Sequence, residues 1–94
     1  MRKIVLAIMD DINANRVKKL ECYIATLQTL MQNQFINEDK ALNLSKLNAV
    51  IRKLYEEKNE IFINVLQKSM PMVSNTNFYL SNKNEIYIIT YGND

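Results

Sequence analysis

The fold is decided by residues 37–69, NEDKALNLSKLNAVIRKLYEEKNEIFINVLQKS, where apolar side chains recur at alternating steps of three and four. The recurring positions are Leu44, Leu47, Ile51, Leu54, Ile61 and Val65, and Lys58 fills the one polar slot. This spacing keeps one edge of an α-helix against a partner helix. It predicts a helix over residues 38–69, which Asn37 can cap. Pro71 ends this helix, because proline disfavours helical geometry at the residue before it.

The apolar surface of this helix is wider than a single partner helix can cover. Outside the seam, its second half carries a further set of apolar side chains, Val50, Tyr55, Phe62, Ile63 and Leu66. The helix therefore needs a second neighbour, which can be a sheet, another subunit or both.

The partner helix is predicted over residues 16–35. Its own seam consists of Val17, Leu20, Ile24, Leu27 and Met31. The connector between the two helices is only a few residues long, so we expect them to pack antiparallel as a helical hairpin. The turn-forming stretch Asp10–Asn15 separates this helix from the N-terminal residues.

A small sheet is predicted from the two ends of the chain. Residues 77–91 contain β-branched and aromatic runs on either side of the turn formers 81–84, which indicates a β-hairpin. The second of these runs is apolar on both faces, as in a central strand. Residues 3–9, KIVLAIM, suit either a strand covered on both faces or the first turns of a buried helix. Because a lone hairpin is marginal in water, the strand interpretation is favoured.

Length and composition indicate one globular domain over residues 1–94, and the two predicted helices with the predicted sheet make its class α+β. Apolar residues make up 48% and charged residues 23% of the chain, and the net charge of +2 is too small to predict a partner. The single cysteine, Cys22, allows no intramolecular disulfide and is expected to be half-buried and inert. No apolar run approaches the roughly 18–20 residues of a membrane span. A cytoplasmic location is the expectation.

The residues needed for common catalytic and metal sites are scarce. The chain has no histidine and a single glycine, which argues against the usual zinc sites and against a Gly-rich phosphate loop. We therefore predict no catalytic residue, no metal and no cofactor. Asp10 and Asp11 follow the possible N-terminal strand, where carboxylates can hold a divalent cation. A turn and helix cap is the simpler interpretation of the same two residues.

The leading functional hypothesis is a non-enzymatic protein-interaction module. It would act as a homo-oligomer, most simply a dimer, and as an inhibitor, adaptor or assembly factor. A short chain biased toward Asn, Ile and Lys would suit a phage or mobile-element accessory protein. The candidate interaction residues are apolar side chains on the long helix and tyrosines on the hairpin: Phe62, Leu66, Tyr79, Tyr87 and Tyr91.

Two alternatives remain open at this point. The first is a nucleotide- or nucleic-acid-binding module, in which basic side chains of both helices grip phosphates: Arg16, Lys18, Lys19, Arg52 and Lys53. The same residues can instead form a solvated face compensated by nearby glutamates. The second alternative is a magnesium-dependent phosphoryl-transfer enzyme or nuclease that uses Asp10 and Asp11.

Overall fold

Two helices pack on each other beside a three-stranded antiparallel sheet, which confirms the predicted α+β fold. The structure is a computed structural model that describes the backbone of residues 2–33, 38–70 and 77–90, and the side chains of 4–33, 43–70 and 77–88. The elements in chain order are β1 (Arg2–Ile8), α1 (Asp11–Gln32), α2 (Glu38–Leu66), β2 (Phe78–Leu80) and β3 (Glu85–Thr90).

The sheet joins the two ends of the described chain. Its strand order is β1-β3-β2, so β3 lies in the centre and pairs antiparallel with both neighbours. The predicted N-terminal strand is thus present, as the hairpin's need for a third strand required, but it covers Arg2–Ile8 rather than residues 3–9. β3 carries Ile86 and Ile88 toward the helices and Tyr87 away from them, which is why its sequence is apolar on both faces.

A β-bulge in β1 explains the apolar run that showed no alternation. Val5 pairs with Tyr87 and Ala7 with Ile86, so Leu6 is an extra residue in the ladder. Leu6 and Ala7 both pack against the core, whereas Val5 and Ile8 point away from it. The second face of β1 is therefore exposed, which differs from the expectation of a strand covered on both faces.

Helix α1 begins at Asp11, five residues before the predicted start at Arg16. Asp10 is the N-cap, and its Oδ1 accepts a hydrogen bond from the backbone N–H of Asn13 at 2.8 Å. The turn-forming residues after it occupy the first helical turn rather than a connector, and the cap satisfies one of the N–H groups that have no partner within the helix. The helix ends at Gln32, and the predicted end at residue 35 lies outside the described residues.

Helix α2 begins at Glu38, where the sequence placed it, and ends at Leu66, before the predicted residue 69. The carbonyl oxygen of Leu66 accepts hydrogen bonds from the backbone N–H groups of Ser69 at 3.1 Å and Met70 at 2.7 Å. These bonds close the helix in a turn over residues 67–69. Pro71, the predicted terminator, lies outside the described residues.

The core lies between the sheet and the adjoining ends of the two helices. Its buried members are Met9, Ala14, Val17, Ile61, Phe62, Leu66 and Ile86. Phe62 stacks on Phe78 of β2 with ring centroids 5.6 Å apart, so the sheet is the second neighbour that α2 required. Burying one such ring stabilises the fold by about 1.5–3 kcal/mol relative to leaving it in water.

Candidate interaction surface

The face of the sheet that points away from the helices carries an apolar and aromatic patch. We call it the outer sheet face and define it by Val5, Ile8, Tyr79, Glu85 and Tyr87. The register places Val5 opposite Tyr87 and Tyr79 opposite the same Tyr87, so three side chains form one row across all three strands. Val5 is 51% and Tyr79 44% exposed. In the part of the chain that the structure describes, no helix or strand covers this row.

The rings of Tyr79 and Tyr87 pack against each other. Their ring centroids are 5.9 Å apart with the planes inclined at 49°, a geometry that favours aromatic pairing. The Tyr87 hydroxyl donates to Glu85 Oε1 at 3.2 Å, and the Ser81 hydroxyl donates to the same oxygen at 3.3 Å. Removal of the Tyr87 side chain from water raises the pKa of its phenol, and the hydrogen bond to Glu85 raises it further. The phenol therefore stays protonated, and the outer sheet face has an anionic rim at Glu85.

The predicted interaction residues divide into buried and accessible groups. Phe62 is 1% exposed and Leu66 is fully buried, because both pack under the sheet inside the chain. They support the fold and offer no surface to a partner. Tyr79 and Tyr87 are paired in register across β2 and β3, so both lie on the outer sheet face. Tyr91, which the period of two predicts on the same face as Tyr87, lies outside the described residues.

Two further members of the patch, Val5 and Ile8, were not among the predicted interaction residues. Their exposure depends on the bulge at Leu6, which turns two successive residues toward the core and re-aims those on either side. The one available signal was the length of the apolar run. Residues 4–9 include no polar side chain, so no position in the run marks a face toward solvent. If one face of the strand is exposed, the side chains on that face are therefore apolar.

The five basic residues proposed for phosphate binding lie on separate parts of helices α1 and α2. Arg16 lines a groove of about 180 Å³ beside Glu57 and Glu60 of α2, and Lys68 lies in the same groove. Lys18 donates to Asn84 Oδ1 at 3.3 Å in the hairpin turn. The glutamates beside Arg16 oppose the approach of a phosphate through like-charge repulsion.

The remaining three basic residues are exposed on the helices. Lys19 lies on α1 next to Lys18, and Arg52 and Lys53 lie midway along α2. Tyr55, two residues beyond Lys53, accepts a hydrogen bond from Gln28 near the far end of α1 at 3.2 Å. Since the helices run antiparallel, Arg52 and Lys53 lie near the end of α1 opposite to Arg16 and Lys19. The structure does not bring the five basic residues together.

Asp10 and Asp11 both hold structural hydrogen bonds. Asp10 accepts from the backbone N–H and from the side-chain amide of Asn13, and these bonds hold the pKa of its carboxyl below the ordinary value. Asp11 Oδ1 accepts from Asn84 Nδ2 at 2.9 Å. Among the described residues, no three His, Cys, Asp or Glu side chains are grouped so that they could hold a metal ion.

Two residues of the helices, Cys22 and Lys58, lie in or beside the seams between α1 and α2. Cys22 is exposed on α1 rather than half-buried, because it lies beside the helical seam and not in it. Lys58 is half-buried at its seam position, and its Nζ lies 5.1 Å from the centre of the Tyr55 ring. The lysine stem is thus covered while its charge rests against an aromatic face.

No known protein family matches this chain, and neither does any curated protein or solved structure. Within the described residues, neither helix combines the length and apolar character that crossing a membrane requires.

Proposed function

We propose that this chain is a non-enzymatic protein-interaction module that works as a homo-oligomer and presents its outer sheet face to a protein target. Its role would be that of an inhibitor, an adaptor or an assembly factor. The observation that supports this proposal is the row formed by Val5, Tyr87 and Tyr79 across the three strands, on the face away from both helices.

The chemistry of the row suits a protein surface. Tyrosine offers a large rigid ring with a hydrogen-bonding tip, and it is enriched among the residues that dominate binding energy. The Glu85 carboxylate at the rim adds a negative charge that already receives two hydroxyl donors. The complementary target is therefore an apolar protein patch flanked by lysine or arginine.

Phosphate binding by the helices has less support. The five basic residues are distributed along both helices, and Arg16 lies beside Glu57 and Glu60. A nucleic acid gains affinity from several cations that act together on neighbouring phosphates. Target recognition by the sheet is therefore better supported than recognition by the basic residues of the helices.

The test compares the two tyrosines of the sheet with an exposed tyrosine on α1. Proteins from the native host are captured on the tagged chain and identified by mass spectrometry, and the purified target is then titrated against variants. We expect the double variant Tyr79→Ala, Tyr87→Ala to weaken target affinity about thirtyfold or more, since tyrosine anchors at interface centres contribute on this scale. Tyr23→Ala is the control, because Tyr23 is 58% exposed on α1, away from the sheet. Equal affinity of the double variant and the control would refute the proposal.

A further inference from the structure

Strand β1 is an edge strand with an unusually apolar and open side. In the described part of the sheet, β1 stands at one end of the order β1-β3-β2, so only one of its two edges is paired. Its seven residues include three large exposed hydrophobic side chains, Ile4, Val5 and Ile8, of which Ile8 is 72% exposed. Long apolar edge strands pair readily with another strand, and soluble proteins usually protect them with charges, prolines or a covering loop. Between Lys3 and Asp10 the sequence of β1 and its flank has neither a charge nor a proline.

The charges at the two ends of β1 are opposite in sign. Arg2 and Lys3 begin the strand, whereas Asp10 and Asp11 follow its end after Met9. If two copies of β1 pair antiparallel, the basic end of each copy lies beside the acidic end of the other. A parallel arrangement would place like charges together at both ends, which is unfavourable. The strand is therefore electrostatically complementary to an antiparallel copy of itself.

We infer that two copies of this chain form a symmetric dimer by antiparallel pairing of their β1 edges. The two three-stranded sheets become one six-stranded sheet with the order β2-β3-β1-β1-β3-β2. Such an interface uses the same surface on both subunits, as twofold symmetry requires. With the basic end of each copy beside the acidic end of the other, the twofold axis passes between Leu6 and Ala7. Val5 of each copy then lies close to Ile8 of the other on the outer sheet face.

This pairing specifies how the homo-oligomer of the proposed function assembles, and it rests on that proposal. The main-chain groups of each free β1 edge gain hydrogen-bond partners, and the exposed apolar side chains of the two strands cover one another. The outer sheet faces of the two copies also become continuous. One dimer then presents two Tyr79–Tyr87 pairs on a single surface, so that a target with repeated sites is held at both.

The test uses two isoleucines of nearly equal exposure. Ile8 is 72% exposed on β1, and Ile12 is 76% exposed four residues later on α1. Sedimentation analysis from micromolar to millimolar concentration should show a dimer for the unmodified chain. The double variant Val5→Lys, Ile8→Lys places like charges at the twofold axis, and we expect its dissociation constant to rise about a hundredfold or more. Ile12→Lys should leave the dimer intact.

Charge reversal then tests the interface independently of its register. An equal mixture of the double lysine variant with the double variant Val5→Glu, Ile8→Glu should restore dimers, because each lysine strand then meets a glutamate strand.

Amide hydrogen exchange tests the same interface without any substitution. For the unmodified chain, exchange at Ile4–Ile8 should slow as the protein concentration rises.

Three results would overturn the inference. They are a dimer unaffected by the lysine pair, exchange of the β1 amides that is independent of concentration, and a protein that stays monomeric throughout. The last result would leave the β1 edge to a strand from a different protein. Target binding through Tyr79 and Tyr87 is measured separately, so a monomer that still binds its target would refute the dimer without refuting recognition by the sheet.

Discussion

Asn84 connects the β2–β3 turn to the start of α1, and replacing it tests how the sheet is held on the helices. Its carbonyl oxygen accepts a hydrogen bond from the Met9 backbone N–H at 2.7 Å. Its side-chain amide donates to Asp11 Oδ1 at 2.9 Å and accepts from Lys18 Nζ at 3.3 Å. Its φ of 60° lies in the left-handed region, which asparagine tolerates better than most residues with a side chain.

The variant Asn84→Ala removes both side-chain hydrogen bonds and keeps a backbone conformation that alanine disfavours. Each surface hydrogen bond contributes about 0.5–1 kcal/mol, and alanine at positive φ costs about 1 kcal/mol. The free energy of unfolding should therefore fall by about 2–3 kcal/mol. Asn84→Gly loses the same hydrogen bonds without the steric cost, so it should be more stable than the alanine variant by about 1 kcal/mol.

The assay is thermal and urea unfolding followed by far-ultraviolet circular dichroism. For a domain of this length, a loss of 2–3 kcal/mol corresponds to a decrease of about 10–20 °C in Tm. Two results would refute the reasoning. One is an alanine variant as stable as the unmodified chain, and the other is a glycine variant less stable than the alanine variant.

Two further predictions concern acid stability and the core. The Asn13 hydrogen bonds lower the pKa of Asp10 below 3.8, so their stabilisation is complete above that pH and is lost as pH falls through the lower folded pKa. Urea midpoints at a series of acidic pH values should show this loss, and Asp10→Asn should reduce it; an unchanged pH dependence would contradict the assignment. Phe62→Ala should lower the free energy of unfolding by about 3–5 kcal/mol, since the ring is buried. The exposed Val50→Ala on the same helix should change it by no more than about 0.5 kcal/mol, and similar losses for both would contradict the described core.

The long helices could be predicted because the spacing of their apolar residues is a local signal. The strands at the chain ends could be predicted because a β-hairpin needs a third strand. The seam from Leu44 to Val65 fixes a helix through its period alone. The strand at residues 3–9 could not be separated from a helix by period, but the hairpin required a third strand. Helix α1 was predicted to start too late, because Asp10, Asp11 and Asn13 are residue types that also favour a connector. The sequence alone does not show that Asp10 is the N-cap and that Asp11 and Asn13 lie in the first helical turn.

The details that create the candidate surface could not be predicted, because they depend on contacts distant in sequence. The bulge at Leu6 has no glycine to mark it, and it turns both Leu6 and Ala7 toward the core. The turn over residues 81–84 was expected, whereas the left-handed conformation of Asn84 depends on its contacts with the start of α1. Burial of Phe62 and Leu66 likewise depends on where the sheet docks on α2.

The strand order has a consequence for synthesis on the ribosome. β1 is translated first, but its partner β3 comes near the end of the described chain, with Arg2 opposite Thr90. At translation rates of about 5–20 residues per second, the nascent β1 waits several seconds without its native partner. Both helices are synthesised between β1 and β3, so β1 is complete before either of the other strands of its sheet exists. During that interval the apolar residues of β1 have no partner strand from their own sheet, and unpaired apolar strands are prone to aggregation.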